Sequence, residues 1–162
     1  MFLPGQVSMI PAYVLFSKLN LINSHWLVIL TYLAGGLPSA ILLFQASFRG
    51  ISNEMVESAK IDGAGYFVII KNIIVPMGLP AISIVVIFNF IGSWNDLLTP
   101  MLYLSDLNKQ TVMAALSALV QRTSKLPTYQ LAGLTISLLP AIIIYLGLQK
   151  YLIKGISSGS IK

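Results

Sequence analysis

The sequence predicts an all-α protein whose helices cross a membrane several times. Three observations carry that prediction. Apolar residues make up 56% of the chain and charged residues only 9%, against about 25% charged in an average soluble domain. So few charges cannot cover the surface of a soluble fold, and lipid must solvate much of the chain. The charges also leave three long windows empty, between Lys18 and Arg49, Lys71 and Asp96, and Lys125 and Lys150. Within those windows the sequence is continuously apolar, whereas the strands of a membrane barrel alternate.

Taken in order, residues 1–17 are uncharged but interrupted by Pro4, Gly5 and Pro11. They read as the outer end of a further span whose start is missing, so the chain is expected to be a truncated form of a longer protein. The first full span is 26–48, centred on WLVILTYLAGGLPSAILLF. The second is 78–104, centred on PAISIVVIFNFIGSW, and the third is 128–152, centred on LAGLTISLLPAIIIYLGL. Each window supplies the ~20 residues a helix needs to cross the hydrocarbon core. Pro38 and Pro140 fall inside spans, where neighbouring helices can re-satisfy the freed backbone groups. Gly35, Gly36, Ala132 and Gly133 allow close helix approach. Residues 153–162 form a tail.

Three crossings fix the sides by parity. The 45–75 loop and the tail share one side with Arg49, Lys60, Lys71, Lys150, Lys154 and Lys162. The other side holds Lys18, Lys109, Arg122 and Lys125. Positive residues favour the cytoplasm, so residues 45–75 and the C-terminus are expected there. The net charge of +5 comes from ten scattered Lys and Arg. No basic run marks a nucleic-acid partner. With no cysteine there are no disulfides, thiolate metal sites or Cys nucleophiles. The opening residues lack the basic region of a signal peptide. His25, the single histidine, sits beside Trp26 at a span edge and has no clustered ligands, so no metal site is expected.

The loop 53–76 gathers three of the five acids, Glu54, Glu57 and Asp62. Ser52 or Asn53 can cap a helix whose positive end suits Glu54 and Glu57. Glu57 can pair with Lys60 one turn on. Gly63 ends that helix by taking a left-handed backbone. Asp62 is read as the cap of a second short helix, Ala64 to Ile74, with Phe67, Ile70 and Ile74 on its apolar stripe. Pro76 is read as its stop. Such a helix–turn–helix can be a mere interfacial connection or a docking element for a soluble partner; the residues alone leave both open.

Its spacing carries a resemblance. Glu57, Ser58 and Ala59, then Gly63, then Ile73, Ile74, Val75 and Pro76 match the E-A-A, three residues, G, nine residues, I-x-L-P loop of ABC importer permeases, with Ser for the first Ala and Val for Leu. "GSWNDLLTPMLYL" at Gly92–Leu104 resembles the W-N-[ED]-F-x-x-P segment of carbohydrate permeases, with Leu97 for Phe. "LQKYLIKGISSGSIK" resembles their ending, and "PAYVLFSKLNLINS" their segment after the third helix. The chain most resembles the second permease subunits of maltose-type sugar importers.

That resemblance implies the C-terminal part of a type I ABC importer permease fold, about three full spans plus a partial one, in the bacterial cytoplasmic membrane. It implies that 53–76 is a cytoplasmic coupling loop, with Glu57, Ser58, Ala59, Asp62, Gly63, Ile73 and Pro76 as its site residues. The partners implied are a second permease subunit, two ATP-binding cassette ATPase subunits, an extracytoplasmic solute-binding protein and the lipid bilayer, with no nucleic acid. No cofactor is expected on this chain; ATP and Mg would bind the partner ATPase. The chain has no G-x-x-x-x-G-K-[ST] loop of its own. The cargo implied is a carbohydrate, with glycerol-phosphate, a polyol or another small solute as the alternative.

Asn89, Trp94, Asn95 and Asp96 lie in or at the outer end of the second span and are the substrate-pathway candidates, since polar groups at depth face cavities or partners. An interfacial Trp and a loop-start Asp are the plainer reading for two of them. Of the other function classes, an intramembrane enzyme needs Asp62 and Asp96 to pair, yet the topology puts them on opposite faces. A small channel needs a polar stripe along a span, which none of the three has. No catalytic residue is expected.

Overall fold

The computed structural model describes residues 5–122 and 127–159. Residues 1–4, 123–126 and 160–162 lie outside the described residues. So do the start of the first segment, Lys125 and the end of the tail. The described residues are helical throughout, with short turns between helices. The elements are α1 (Gly5–Lys18), α2 (His25–Phe48), α3 (Asn53–Ile61), α4 (Tyr66–Ile69), a π turn (Ile70–Ile74), α5 (Val75–Asn95), α6 (Leu98–Tyr103), a 3₁₀ turn (Leu107–Lys109), α7 (Val112–Arg122) and α8 (Pro127–Gly159).

Three helices are long and apolar enough to cross a membrane: His25–Phe48, Tyr66–Asn95 and Pro127–Tyr151. Pro11, Pro38, Pro80 and Pro140 all sit inside helices without ending them. Each costs one ladder bond, and the helix on both sides holds the backbone in place.

In the spans and the connection after the second span, the structure departs from the sequence reading. Pro76 does not stop a helix. The chain is continuously helical from Tyr66 to Asn95, with a π turn at Ile70–Ile74 just before the proline. The second span does not run on to Leu104 as one helix; it ends at Asn95, and Leu98–Tyr103 form a separate helix started by Asp96. The connection 105–127 contains the amphipathic helix α7, which buries Ala114 and Leu116.

The chain divides into two compact units. One comprises residues 1–36 and 90–142, the other residues 37–89 and 143–162. The first unit has an apolar centre of Leu27, Val28, Tyr103 and Leu104, with Phe16, Ile22, Tyr32 and Leu102 packed against it. Phe16 meets Tyr103 edge-to-face with ring centres 5.7 Å apart, a favoured aromatic geometry. Asn23, in the left-handed region at φ 65°, ties the α1–α2 turn to the segment after α6. Its N–H donates to the Tyr103 carbonyl at 2.7 Å and its Oδ1 accepts from Asp106 N–H at 3.1 Å. Its carbonyl accepts from Lys109 Nζ at 3.0 Å. Leu116 of α7 lies over Gly133 of α8, where an added Cβ would force the Leu116 side chain to shift.

The second unit holds the end of α2, the hairpin α3–α4 and the first part of α5. Phe44 and Phe48 stack with centroids 5.7 Å apart and planes 7° from parallel. The Phe48 ring lies against Gly78. Ser83 is buried and donates from its Oγ to the Leu79 carbonyl at 2.8 Å, so its hydroxyl carries no unsatisfied donor into the apolar helix.

Candidate functional site

The hairpin 52–66 is built almost wholly from its own backbone. Ser52 is extended, and its Oγ accepts from Met55 N–H at 3.3 Å, capping α3. Glu54 lies in the positive first turn and Lys60 in the negative last one, both favourable with the helix dipole. Ser58 donates from its Oγ to the Glu54 carbonyl at 2.7 Å. A serine at this position therefore turns its hydroxyl inward along the helix, which is how it substitutes for alanine without adding a free polar group.

The helix ends in a Schellman motif. Gly63 takes φ 80°, its N–H reaches the Lys60 carbonyl at 3.0 Å, and Ala64 N–H reaches back to the Ala59 carbonyl at 2.9 Å. Only glycine adopts this backbone without strain. Asp62 is the C-cap of α3 and not the cap of the next helix; that position belongs to Gly65, which has no side chain to cap with.

Glu57 and Ser58 are exposed and Ala59 is half-buried; Ile73 lies in the π turn and Pro76 is the second residue of α5. Among the described residues the three most exposed large apolar side chains all flank this turn: Ile61 at 86%, Phe67 at 84% and Tyr66 at 76%. Phe67, read as part of the apolar stripe, is exposed, and Ile69 is the buried residue of α4. Sequence reasoning missed Ile61 and Tyr66. The available signal was three large apolar residues crowding a turn that also carries acids and glycines.

The pathway candidates are not brought to one point. Asn89 donates from Nδ2 to the Val85 carbonyl of its own helix at 2.8 Å. Trp94 stacks on Phe90 and donates from Nε1 to the Ser137 carbonyl of α8 at 2.9 Å. Asn95 is the exposed last residue of α5. Asp96 Oδ1 accepts from Leu98 and Thr99 N–H at 3.0 and 3.4 Å, so this carboxylate starts α6. Tyr32 was missed by the sequence reading; its hydroxyl is buried and lies beside the Asp96 carboxylate. His25 Nε2 lies 2.9 Å from the Lys109 carbonyl, which gives the single histidine a structural place. Among the described residues no three His, Cys, Asp or Glu side chains cluster as metal ligands would.

Comparison with known proteins supplies the family. The family described as the binding-protein-dependent transport system inner membrane component matches residues 1–158. "Probable ABC transporter permease protein YurM" of Bacillus subtilis is 37% identical over 165 residues, covering all of this chain and 54% of that protein. The osmoprotective compounds uptake permease protein GgtD of Synechocystis is 33% identical, covering 98% of this chain and 54% of its own length. The melibiose/raffinose/stachyose import permease protein MelC of Bacillus subtilis is 31% identical, covering all of this chain and 59% of its own. The chain spans a little over half the length of these curated relatives. It is a helical, membrane-spanning member of the binding-protein-dependent transport system inner membrane component family.

Proposed function

We propose that this chain belongs to the permease subunit of an ATP-driven importer, where it forms part of the translocation pathway for a carbohydrate and couples that pathway to cytoplasmic ATPase subunits. It is a transport subunit and not an enzyme; ATP and Mg bind the partner. Its partners are a second permease, two ATPase subunits and an extracytoplasmic solute-binding protein. Residues 45–75 and the C-terminus face the cytoplasm. Asn89, Trp94, Asn95 and Asp96 are the pathway candidates, and Trp94 and Asp96 are held in fixed positions by Ser137 and by the start of α6.

One observation carries the coupling part of this reading. The hairpin is rigid in its backbone, through the Ser52 cap and the Schellman turn, yet its large apolar side chains Ile61, Tyr66 and Phe67 are spread outward beside Glu57. A plain interfacial connection lays such side chains among lipid headgroups; here they stand on a stiff turn beside the exposed Glu57 carboxylate, an arrangement that favours a protein partner. An exposed apolar patch rimmed by charge suits a protein partner, and a short stiff helix enters a groove with little ordering cost. ATP binding then shifts the helices between two arrangements to the extent that the ATPase holds them differently.

The carbohydrate cargo is supported by the relative named for melibiose, raffinose and stachyose. A second reading, another small solute such as a polyol or glycerol-phosphate, is favoured by the relative named for osmoprotective compounds.

The test is co-purification of the full-length protein, tagged and expressed with its chromosomal neighbours, in mild detergent. An ATPase and a second permease should accompany the wild type. Gly63→Arg places a side chain at φ 80°, which costs about 1–2 kcal/mol locally. It should abolish transport while the protein still reaches the membrane. Glu57→Ala should weaken ATPase retention more than folding. A protein that purifies alone and is active alone overturns the reading.

A further inference from the structure

The long helix that follows the hairpin is not uniform. It is α from Tyr66 to Ile69, widens to a π turn from Ile70 to Ile74, and is α again from Val75 to Asn95. The π turn is closed by Val75 N–H reaching the Ile70 carbonyl, five residues back. It holds one residue more than an α turn, and such turns are rare and concentrate where helices must give. Pro76 follows at once. It has no N–H to offer the Asn72 carbonyl, and its ring crowds that group. Two defects of the hydrogen-bond ladder thus fall within a single stretch, Ile70–Pro76.

Packing follows the same pattern. Ile69, just before the stretch, is buried, and so is Gly78, just after it; none of residues 70–77 is buried. Gly78 is covered by the Phe48 ring so closely that a Cβ there would lie 2.7 Å from Phe48 Cε1. Phe48 is itself braced by stacking on Phe44. The helix is therefore held on both sides of a segment that has two ladder defects and no buried side chain. Under load, a helix made this way bends there first.

We infer that Ile70–Pro76 is a flexing joint, built so that the hairpin α3–α4 tilts while the helix beyond Gly78 keeps its packing against Phe48. This rests on the coupling reading above, which supplies the load. A continuous α-helix would force hairpin and span to move as one rod. The joint gives the hairpin its own degree of freedom.

These 162 residues carry no cysteine, so labels placed within them meet no native thiol in this part of the protein. Asn53→Cys and Val86→Cys, both at exposed positions on either side of the joint, carry spin labels in the assembled full-length transporter, and the distance between them is measured without nucleotide and with ATP-Mg. A bend of about 20° acting over roughly ten residues of helix, about 15 Å, shifts this distance by about 5 Å. That shift is expected in the otherwise wild-type protein. Deletion of Asn72 returns the π turn to α and leaves the flanking faces nearly in phase; it should make the distance the same in both states. Pro76→Ala, which restores the N–H, should reduce the shift and serves where the deletion does not assemble. A distance that ATP leaves unchanged in the wild-type background while the ATPase is bound overturns the joint. So does an undiminished shift in the deletion or in Pro76→Ala. Failure of any ATPase to bind the wild type is a different result and removes the coupling reading itself.

Discussion

Two connections in this molecule solve the same problem in opposite ways. The α1–α2 turn is held by distant chain: Asn23 bonds to Tyr103, Asp106 and Lys109, more than 80 residues away in two of those cases. It leads directly into the buried centre at Leu27, Val28, Tyr103 and Leu104. The hairpin 52–66 is held by itself, through one side-chain cap and three backbone bonds at its C-terminal end, and it spreads its apolar side chains outward. A turn fixed by long-range bonds has spent its polar groups on the fold. A turn that is rigid without such bonds keeps its side chains available for something outside the chain. That contrast, more than burial alone, separates scaffold from candidate docking surface here, and each side of it can be broken separately.

The largest effect belongs to the scaffold side. Tyr103 is 1% exposed, packs edge-to-face on Phe16 and lies in a buried centre shared by α1, α2 and α6. Tyr103→Ala should cost about 3–5 kcal/mol, the usual loss for a large aromatic removed from a packed centre. In the assembled transporter this reads as a lowered thermal midpoint and reduced membrane abundance. A midpoint equal to wild type would mean that the turn does not depend on this centre.

A smaller and more discriminating effect is expected at Asn23. Asn23→Ala loses the bond from Asp106 N–H and also places a Cβ-bearing residue without local polar compensation at φ 65°. Together these amount to about 2–3 kcal/mol. Asn23→Gly loses only the side-chain bond, about 1 kcal/mol, because glycine accepts the backbone. Thermal midpoints should therefore rank wild type, Gly, Ala. The order Ala above Gly would show that left-handed strain plays no part in the latch.

The sequence made the three spans and the hairpin legible for physical reasons. Charge-free windows are required by lipid, and Gly63 after a capped helix is the ordinary signal of a left-handed turn. Pro76 misled because a proline in isolation reads as a helix stop. Whether the helix runs on past a proline depends on the backbone around it, which composition does not reveal. Asp62 was read as the cap of the next helix, but the Schellman turn consumes the residues just after α3, so that cap falls further on, at Gly65. Phe67 was placed on a stripe by periodicity, but α4 is a single turn before the π widening, and a helical period over four residues assigns no face. Asp96 as the start of α6 was open as one of two readings, while Trp94 meets Ser137 across 43 residues, a pairing that no local pattern contains.

The smallest effect on stability, and the sharpest on the comparison, is expected at Phe67. Its ring is 84% exposed, so Phe67→Ser removes almost no burial within the chain and should leave the thermal midpoint of the permease unchanged within about 0.5 kcal/mol. If the hairpin is a docking surface, the same change deletes a large apolar contact with the partner. Interface anchors of this type cost about 1–2 kcal/mol or more when truncated, which corresponds to a roughly tenfold weaker hold on the ATPase. Serine at this position leaves Gly63, the Ser52 cap and the Schellman bonds in place, so a loss of ATPase on a washed affinity column with an unchanged midpoint separates recognition from folding. Unaltered retention together with an unaltered midpoint would mean that Phe67 faces lipid headgroups. The docking surface would then contract to Glu57, Ala59 and Ile61 on α3.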